Sequence, residues 1–234
     1  MKIVIWNVMN GMGRPEQINL FKSLEPDLAI LPELKEKNIN ALKPNDAVWI
    51  TNNHENKSPK GLGLLSFNQT SLSPLSRDED MEIYIPVSVH NPSYKFDLLG
   101  VWNFYWACKQ GRFKGVRDEN CLEWSAIRKY TSELKRACLF GGDWNFGPTF
   151  SQASFVEMCG MLDAAELKSL YHEKNQLEWH ESNHMTYRSP TKSYHHLDHF
   201  FGSKLFVDNM IGYEIMDIDK ATLSDHSPIV LSLR

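Results

Sequence analysis

The chain has 234 residues, which favours one large domain, and a domain of this size buries roughly 70–75% of its unfolded surface. Hydrophobic residues make up 42% of the sequence and charged residues 23%, values that exclude a disordered or collagen-like chain. The net charge of -4 and the pI near 6.1 exclude a protein held on nucleic acid by bulk positive charge. We therefore predict a single domain over residues 1–234, in which any polyanion is met by local basic residues.

The apolar segments indicate no membrane partner. No apolar run reaches the ~18 residues of a membrane span, and Trp6, Asn7 and Asn10 interrupt the first apolar segment, unlike a signal peptide. A cytoplasmic location is the resulting prediction, and no motif indicates an oligomeric state. The cysteines form no CxxC pair and are expected to be buried free thiols: Cys108, Cys121, Cys138 and Cys159.

Strand and helix patterns alternate in the first half of the chain. Residues 2–8 are predicted to form a strand, residues 15–24 a helix that begins at Pro15, and residues 27–33 a second strand. Turns rich in Asn, Pro, Ser and Gly then separate four further predicted strands: 48–52, 62–67, 83–89 and 96–102.

The second half of the chain begins with a predicted long helix over residues 119–136, whose apolar residues fall four apart on one stripe. The elements predicted after it are a strand at 137–142, a helix at 151–161 and strands at 197–201, 207–216 and 229–233. Residues 163–185 carry no clear pattern. The alternation of strands and helices favours an α/β fold.

Polar residues lie at the ends of several predicted strands, where strand formation does not require them. These segments are Trp6-Asn7, Leu31-Pro32-Glu33, Gly141-Gly142-Asp143-Trp144-Asn145 and Leu223-Ser224-Asp225-His226-Ser227-Pro228, with an acid inside a fifth, His196-Leu197-Asp198-His199-Phe200. Strand ends at one edge of a sheet converge, and ligands of α/β proteins bind at that edge. Because residues i and i+2 of an extended segment share a face, Asp143 and Asn145 are expected to point to one spot.

The order of these motifs resembles the endonuclease/exonuclease/phosphatase superfamily, whose members resemble exonuclease III and DNase I. The resemblance runs from Trp6 to Pro228, and Gly-Asp-x-Asn followed by Ser-Asp-His-x-Pro carries most of it. It implies a four-layer α/β sandwich, in which two packed mixed β-sheets are flanked by helices. It also implies Mg²⁺-dependent hydrolysis of phosphate esters by an activated water, with Mn²⁺ as the alternative ion.

The same resemblance implies two groups of site residues. Glu33 and Asp225 would bind the metal, and Asn7 would orient the metal site. A site of carboxylate and amide oxygens without thiols suits Mg²⁺ or Mn²⁺ better than Zn²⁺.

The second group would carry the chemistry together with Asn7. Asp143 would position and activate the attacking water, and Asn145 would hold a phosphate oxygen. His226 would bind the phosphate and stabilise the transition state, while Asp198 would hydrogen-bond His226 and fix its tautomer.

A nuclease that acts on DNA or RNA is the leading interpretation. The stretch from Lys109 to Arg136 has a local excess of basic residues, and the predicted substrate-binding residues within or beside it are Arg112, Lys114, Arg117 and Tyr105. Two alternatives stay open: a phosphatase or phosphodiesterase acting on a phosphoinositide or another small phosphoester, and a non-catalytic nucleic-acid-binding relative.

Two positions depart from the family pattern. Where members commonly carry a histidine, the segment Val101-Trp102-Asn103-Phe104-Tyr105 offers Asn103 or Tyr105 instead. Met9 stands where nuclease members often carry a second acid. The histidine-rich run around Asp198 invites a zinc interpretation, but strand alternation separates its histidines and predicts that His195 and His199 are partly exposed.

Overall fold

The computed structural model of the protein describes residues 1–9, 11–51, 59–81, 84–103, 122–134, 137–219 and 222–234. The predicted substrate-binding residues lie outside these ranges: Tyr105, Arg112, Lys114 and Arg117.

The described residues form fourteen strands. In chain order they are β1 (Lys2–Ile5), β2 (Leu28–Lys35), β3 (Asp46–Ile50), β4 (Lys60–Ser66), β5 (Ser71–Pro74), β6 (Tyr84–His90), β7 (Lys95–Trp102), β8 (Cys138–Asp143), β9 (Lys168–Ser169), β10 (Tyr187–Arg188), β11 (Tyr194–His195), β12 (Asp198–Gly202), β13 (Met210–Ile215) and β14 (Ile229–Leu233).

The helices of the same ranges are α1 (Pro15–Ser23), α2 (Ile39–Leu42), α3 (Leu122–Glu133), α4 (Gln152–Ala164), α5 (Leu170–Asn175) and α6 (Lys204–Asn209), with a 3-10 turn at Glu36–Asn38. Helix α1 has Pro15 in its first turn, where a missing backbone N–H costs nothing. No described helix has the length and apolar character needed to cross a membrane.

Two six-stranded sheets carry the fold. The first has the strand order β13-β14-β1-β2-β4-β3, and the second has the order β5-β6-β7-β8-β12-β9. Each contains one parallel pair, β1 with β2 and β7 with β8, among antiparallel neighbours. Strands β10 and β11 form a separate two-stranded hairpin.

The sheets pack face to face between two outer layers of helices. Neighbouring residues on one strand alternate between layers, as the pleat requires: Leu139 faces the layer between the sheets, whereas Phe140 faces the layer that contains α3 and α4. In the first sheet, Ile30 faces the second sheet and Leu31 faces the layer that contains α1. The predicted four-layer α/β sandwich is confirmed.

The predicted strand over residues 207–216 is confirmed from Met210 to Ile215 and wrong at residues 207–209. Helix α6 extends to Asn209, and only then does β13 begin at Met210. Phe206 of this helix is fully buried, with its ring 4.9 Å from that of Phe96. Burying an aromatic side chain contributes about 1.5–3 kcal/mol, so packing outweighs the strand propensity of Phe206 and Val207. Residues 163–185, which had no assignment, contain β9 and α5.

Candidate active site

The polar residues that flank the strands meet at one place. Asn7 follows β1, Glu33 lies in β2, and Asp143 ends β8 directly opposite Asp198 of β12. His226 immediately precedes the segment that leads into β14. Elements from both sheets therefore contribute to one buried cluster of carboxylates, amides and an imidazole.

Asp143 is held on both carboxylate oxygens. Its Oδ2 accepts a hydrogen bond of 3.0 Å from Nδ2 of Asn7, and its Oδ1 accepts one of 3.0 Å from the backbone N–H of Asn145. Burial raises the pKa of Asp143 to about 7, against the opposing positive charge of His226. A carboxyl group that titrates near neutral pH is suited to accept a proton from water.

His226 and Asp198 form a buried pair. Nδ1 of His226 lies 2.8 Å from Oδ2 of Asp198, and its Nε2 lies 4.0 Å from Oδ2 of Asp143. Burial disfavours the imidazolium, but the charges of Asp198 and Asp143 outweigh that cost and raise the pKa of His226 to about 10. The ring is therefore cationic at neutral pH, with both nitrogens acting as donors.

Tryptophans brace this arrangement. Nε1 of Trp6 donates to the backbone oxygen of His226 at 2.9 Å, and Nε1 of Trp144 donates to the backbone oxygen of His199 at 3.3 Å. Both rings are fully buried. Trp6 is next to Asn7 in the sequence, and Trp144 is next to Asp143. Each of these motifs therefore combines a polar site residue with a buried tryptophan that fixes the end of the strand.

Asn7 acts on the site through Asp143. Its Nδ2 donates to that carboxylate, while its Oδ1 accepts a hydrogen bond of 3.1 Å from the backbone N–H of Met9. Strand β1 ends at Ile5 and Met9 has φ 20°, so the alternation that would place Met9 beside Asn7 does not extend this far. Oγ of Ser224 donates to the backbone oxygen of Asn7 at 2.7 Å.

Asn145 does not share the direction of Asp143 as expected, because β8 ends at Asp143 and Asn145 adopts φ 55°. Its side-chain Nδ2 donates to the backbone oxygen of Asn103. The side chain of Asn103 in turn donates to the backbone oxygen of Trp144 at 3.1 Å. The backbone N–H of Asn103 donates to the backbone oxygen of Asp143 at 2.7 Å. Of the two residues proposed for the missing histidine, Asn103 thus braces the loop after β8.

Glu33 and Asp225 provide a second group of carboxylates. The register of β2 and β4 shifts between Leu31 and Leu34, and Glu33 there adopts φ 63°. Burial raises the pKa of Asp225, and the negative charge of Glu33 adds to this against the opposing charge of His226. Burial is the main cause of this shift in the pKa of Asp225, and Glu33 is a neighbouring acid that strengthens it.

The donor atoms fit a metal ion. Oδ1 of Asp225 is buried and has no hydrogen-bond partner among the described residues, which is the chemistry of an oxygen donor to a hard cation. Asp143, Asp198 and His226 each offer one atom within 4.8 Å of the others, a second arrangement that could hold an ion. Because Nδ1 of His226 already contacts Asp198, Glu33 and Asp225 are the better-suited ligands.

Two residues of the site carry no sequence motif. Lys60 at the start of β4 forms an ion pair with Glu33. The ring of Tyr187 lies 4.7 Å from that of His226. Burial raises the pKa of its hydroxyl, and negative charges at Asp225, Asp143 and Glu33 add to the shift. Tyr187 is brought to the site by the β10–β11 hairpin, which no local pattern predicted.

An aromatic row extends from this tyrosine toward solvent. The ring of Tyr187 lies nearly parallel to that of His195, with centroids 6.3 Å apart, and His195 lies 5.1 Å from Phe150. Phe150 is 48% exposed. Tyr194, which lies on the β10–β11 hairpin, is 51% exposed. The row Tyr187, His195 and Phe150 therefore presents accessible aromatic faces beside the buried cluster.

The prediction that both His195 and His199 are partly exposed is correct for His195 and wrong for His199. His199 is fully buried, 4.5 Å from the nearly parallel ring of His196 and 4.6 Å from Phe155 of α4. The layer that contains α4 covers the face of β12 on which His199 lies. Strand alternation shows that His199 lies on this face but does not show whether the face is buried. Neither ring nitrogen of His199 has a hydrogen-bond partner among the described residues.

Three buried histidines predict that the folded protein loses stability in acid. Burial lowers the pKa of His199 well below its usual value of 6.5, that of His196 to about 3 and that of His172 to about 4. The unfolded chain therefore binds protons that the folded chain rejects, so stability is lost as pH falls below 6.5. Each such histidine costs about 2 kcal/mol between pH 7 and pH 5.

Replacing one of these histidines tests this linkage. We expect His199→Phe to reduce the loss in unfolding free energy between pH 7 and pH 5 by up to about 2 kcal/mol, because the substituted ring has no proton to bind. Urea unfolding at the two pH values measures the difference. An unchanged pH dependence would show that His199 titrates normally in the folded protein.

The fold is shared with solved structures of nucleic-acid enzymes at low sequence identity. The AP endonuclease LMAP from Leishmania major is 12% identical with a TM-score of 0.72, over 100% of this chain and 87% of that chain. The Neisseria 3′ phosphatase NExo, solved with a product DNA hairpin, is 15% identical with a TM-score of 0.68, over 100% and 99%.

A Leptotrichia buccalis protein of the endonuclease/exonuclease/phosphatase family is 12% identical with a TM-score of 0.66, over 100% of this chain and 99% of that chain. The chain matches no protein-family model and no curated protein sequence. The protein therefore has the fold of the endonuclease/exonuclease/phosphatase superfamily, in agreement with the resemblance of its motifs.

Proposed function

We propose that the protein is a metal-dependent phosphodiesterase, a nuclease that hydrolyses DNA or RNA. The observation that carries this proposal is the arrangement of Asp143 and His226. A buried carboxylate held by Asn7 and Asn145 faces a cationic imidazole held by Asp198, at a distance of 4.0 Å. This arrangement places a proton acceptor beside a fixed positive charge, as hydrolysis of an anionic ester requires.

Each side chain has a defined part in the reaction. Asp143 takes the proton of the attacking water, and Asn7 keeps its carboxylate in position for this transfer. His226 donates from Nε2 to a phosphate oxygen and balances the charge that develops there, while Asp198 holds the ring through Nδ1. Asn145 turns its backbone N–H to Asp143, and its proposed contact with the phosphate requires its side chain to leave Asn103.

Glu33 and Asp225 would hold the metal, Mg²⁺ or Mn²⁺. When bound, the ion neutralises charge on the phosphate and favours the deprotonated nucleophile. The buried Oδ1 of Asp225, which finds no hydrogen-bond partner in the described part of the chain, supports this assignment.

Nucleic acid is the substrate class that the surroundings favour. The aromatic row offers rings on which bases can stack, and such stacking contributes about 1–3 kcal/mol per base. Solved relatives in fold include an AP endonuclease and a phosphatase bound to a DNA hairpin. Arg112, Lys114, Arg117 and Tyr105 remain predicted contacts to the substrate.

A cleavage assay tests the proposal. The purified protein is incubated with Mg²⁺ or Mn²⁺ and with single-stranded, double-stranded and abasic DNA, RNA and a chromogenic phosphodiester. We expect metal-dependent cleavage of at least one polynucleotide, abolished by EDTA. Absence of hydrolysis of every phosphodiester with either ion would overturn the proposed activity.

A variant of the aromatic row tests the substrate class. We expect Phe150→Ala to lower kcat/KM for the polynucleotide about ten-fold, because one stacking face is lost, and to leave the chromogenic diester unaffected. Ile211→Ala on β13 is the matched control, since Ile211 is a similarly exposed apolar residue at 55%. Equal loss on both substrates would place Phe150 in the fold instead of in a nucleic-acid interface.

A further inference from the structure

Lys60 introduces a positive charge into the proposed metal site. Its Nζ forms an ion pair with Oε2 of Glu33, with side chains that are 37% and 22% exposed. Of the lysine–carboxylate pairs in the described ranges, this is the pair whose acid belongs to the candidate active site. The remaining pairs lie on other surfaces of the protein.

The backbone places Lys60 beside Glu33. Lys60 is the register partner of Lys35, and the irregular pairing between Leu31 and Leu34 turns Glu33 toward β4. Gly61 then fixes the start of β4 against β3. A Cβ at this glycine would lie 2.1 Å from the backbone oxygen of Ile50, so the strands approach more closely than any other residue permits. Strand pairing therefore holds the backbone of Lys60 within reach of the Glu33 side chain.

The charge of Lys60 opposes a metal ion at the same carboxylate. A divalent ion that binds Glu33 must displace the ammonium or share the carboxylate with it, and a neighbouring positive charge is repelled by the ion in either case. Glu33 and Asp225, the proposed ligands, supply the negative charge that attracts the ion, so a cation that neutralises Glu33 weakens this attraction.

We propose that Lys60 is a resident counter-ion of Glu33, which neutralises this carboxylate in the metal-free protein and competes with the divalent ion for it. This inference rests on the proposed function, since it assigns Glu33 to the metal. Lys60 thereby sets the metal concentration that the site requires. The ammonium is a regulating cation and does not contact the reacting atoms in this role.

Direct metal binding tests the competition without reference to activity. Isothermal titration of the full chain with Mn²⁺ gives the dissociation constant for the wild type and for Lys60→Met, with Lys60→Gln as a second neutral variant. We expect Kd for Mn²⁺ to fall about ten-fold in both, because a repelling charge is removed while the cost of losing a half-exposed ion pair is small. Lys60→Arg keeps the charge and should bind Mn²⁺ as the wild type does.

Lys168→Met is the matched control. Lys168 forms an ion pair with Asp163, and its side chain is 44% exposed, so the variant removes the same charge from a similar pair outside the site. Its Mn²⁺ affinity should equal that of the wild type.

The outcomes separate this inference from the proposed function. Unchanged Kd in Lys60→Met and Lys60→Gln, with measurable Mn²⁺ binding by the wild type, would overturn the role of Lys60 and leave the metal site standing. Equal tightening in Lys168→Met would reduce the effect to net charge and would also overturn it. If neither the wild type nor the Lys60 variants bind Mn²⁺ at millimolar concentration, both the metal site and the competition are excluded.

Discussion

Asp143→Asn should lower kcat for phosphodiester hydrolysis by about 10²- to 10⁴-fold, the contribution typical of a positioned general base. The amide has nearly the same shape as the carboxylate and can still accept a hydrogen bond from Asn7, but it cannot take a proton from water. Single-turnover hydrolysis of the chromogenic diester at saturating metal measures the loss of the chemical step.

The stability of the same variant provides its control. Burial raises the pKa of Asp143 to about 7, so ionising this group above neutral pH costs folding free energy that a neutral amide does not. The amide also turns its NH2 group toward one of the two N–H donors that hold Asp143, which offsets this gain, so Asp143→Asn should unfold within a few degrees of the wild type at pH 8. Near-wild-type turnover by the folded variant would remove Asp143 from the reaction.

His226→Gln should reduce kcat about 10²- to 10³-fold and change KM less, because in the proposed mechanism the imidazolium acts on charge that develops in the transition state. The ring is fixed by Asp198 at 2.8 Å and faces Asp143 at 4.0 Å. A variant that retains a hydrogen-bond donor but lacks the charge isolates the electrostatic part of this contribution.

Asp198→Asn should show a weaker form of this defect, together with a shift in pH dependence. The negative charge of Asp198 contributes to raising the pKa of His226 to about 10, so its removal lowers that pKa. In the proposed mechanism the protonated ring is the active form, so the alkaline limb of the pH–rate profile should move toward neutral pH. A profile that keeps its alkaline limb, with full activity, would make the Asp198–His226 contact purely structural.

The strand-flanking residues could be predicted because their positions are unusual for their chemistry. Asp143 ends a buried strand and Asp198 begins another, and neither strand gains stability from a buried acid. The Asn145 direction could not be predicted, since its φ of 55° ends the alternation on which the expectation rested. Lys60 and Tyr187 could not be found either, because each reaches the site only through strand pairing with residues distant in the chain.

The sequence by itself determined the α/β class, the period-two faces of the strands and the order of the motifs, because these depend on residues that are close along the chain. Only the tertiary structure decided which face of β12 was covered, so that His199 became a buried neutral histidine instead of an exposed one. It also decided that residues 204–209 are helical, since Phe206 gains more from burial against Phe96 than from strand pairing. Local patterns specify which side of an element a residue occupies, whereas the free energy of burial, which depends on the whole fold, decides what that side contacts.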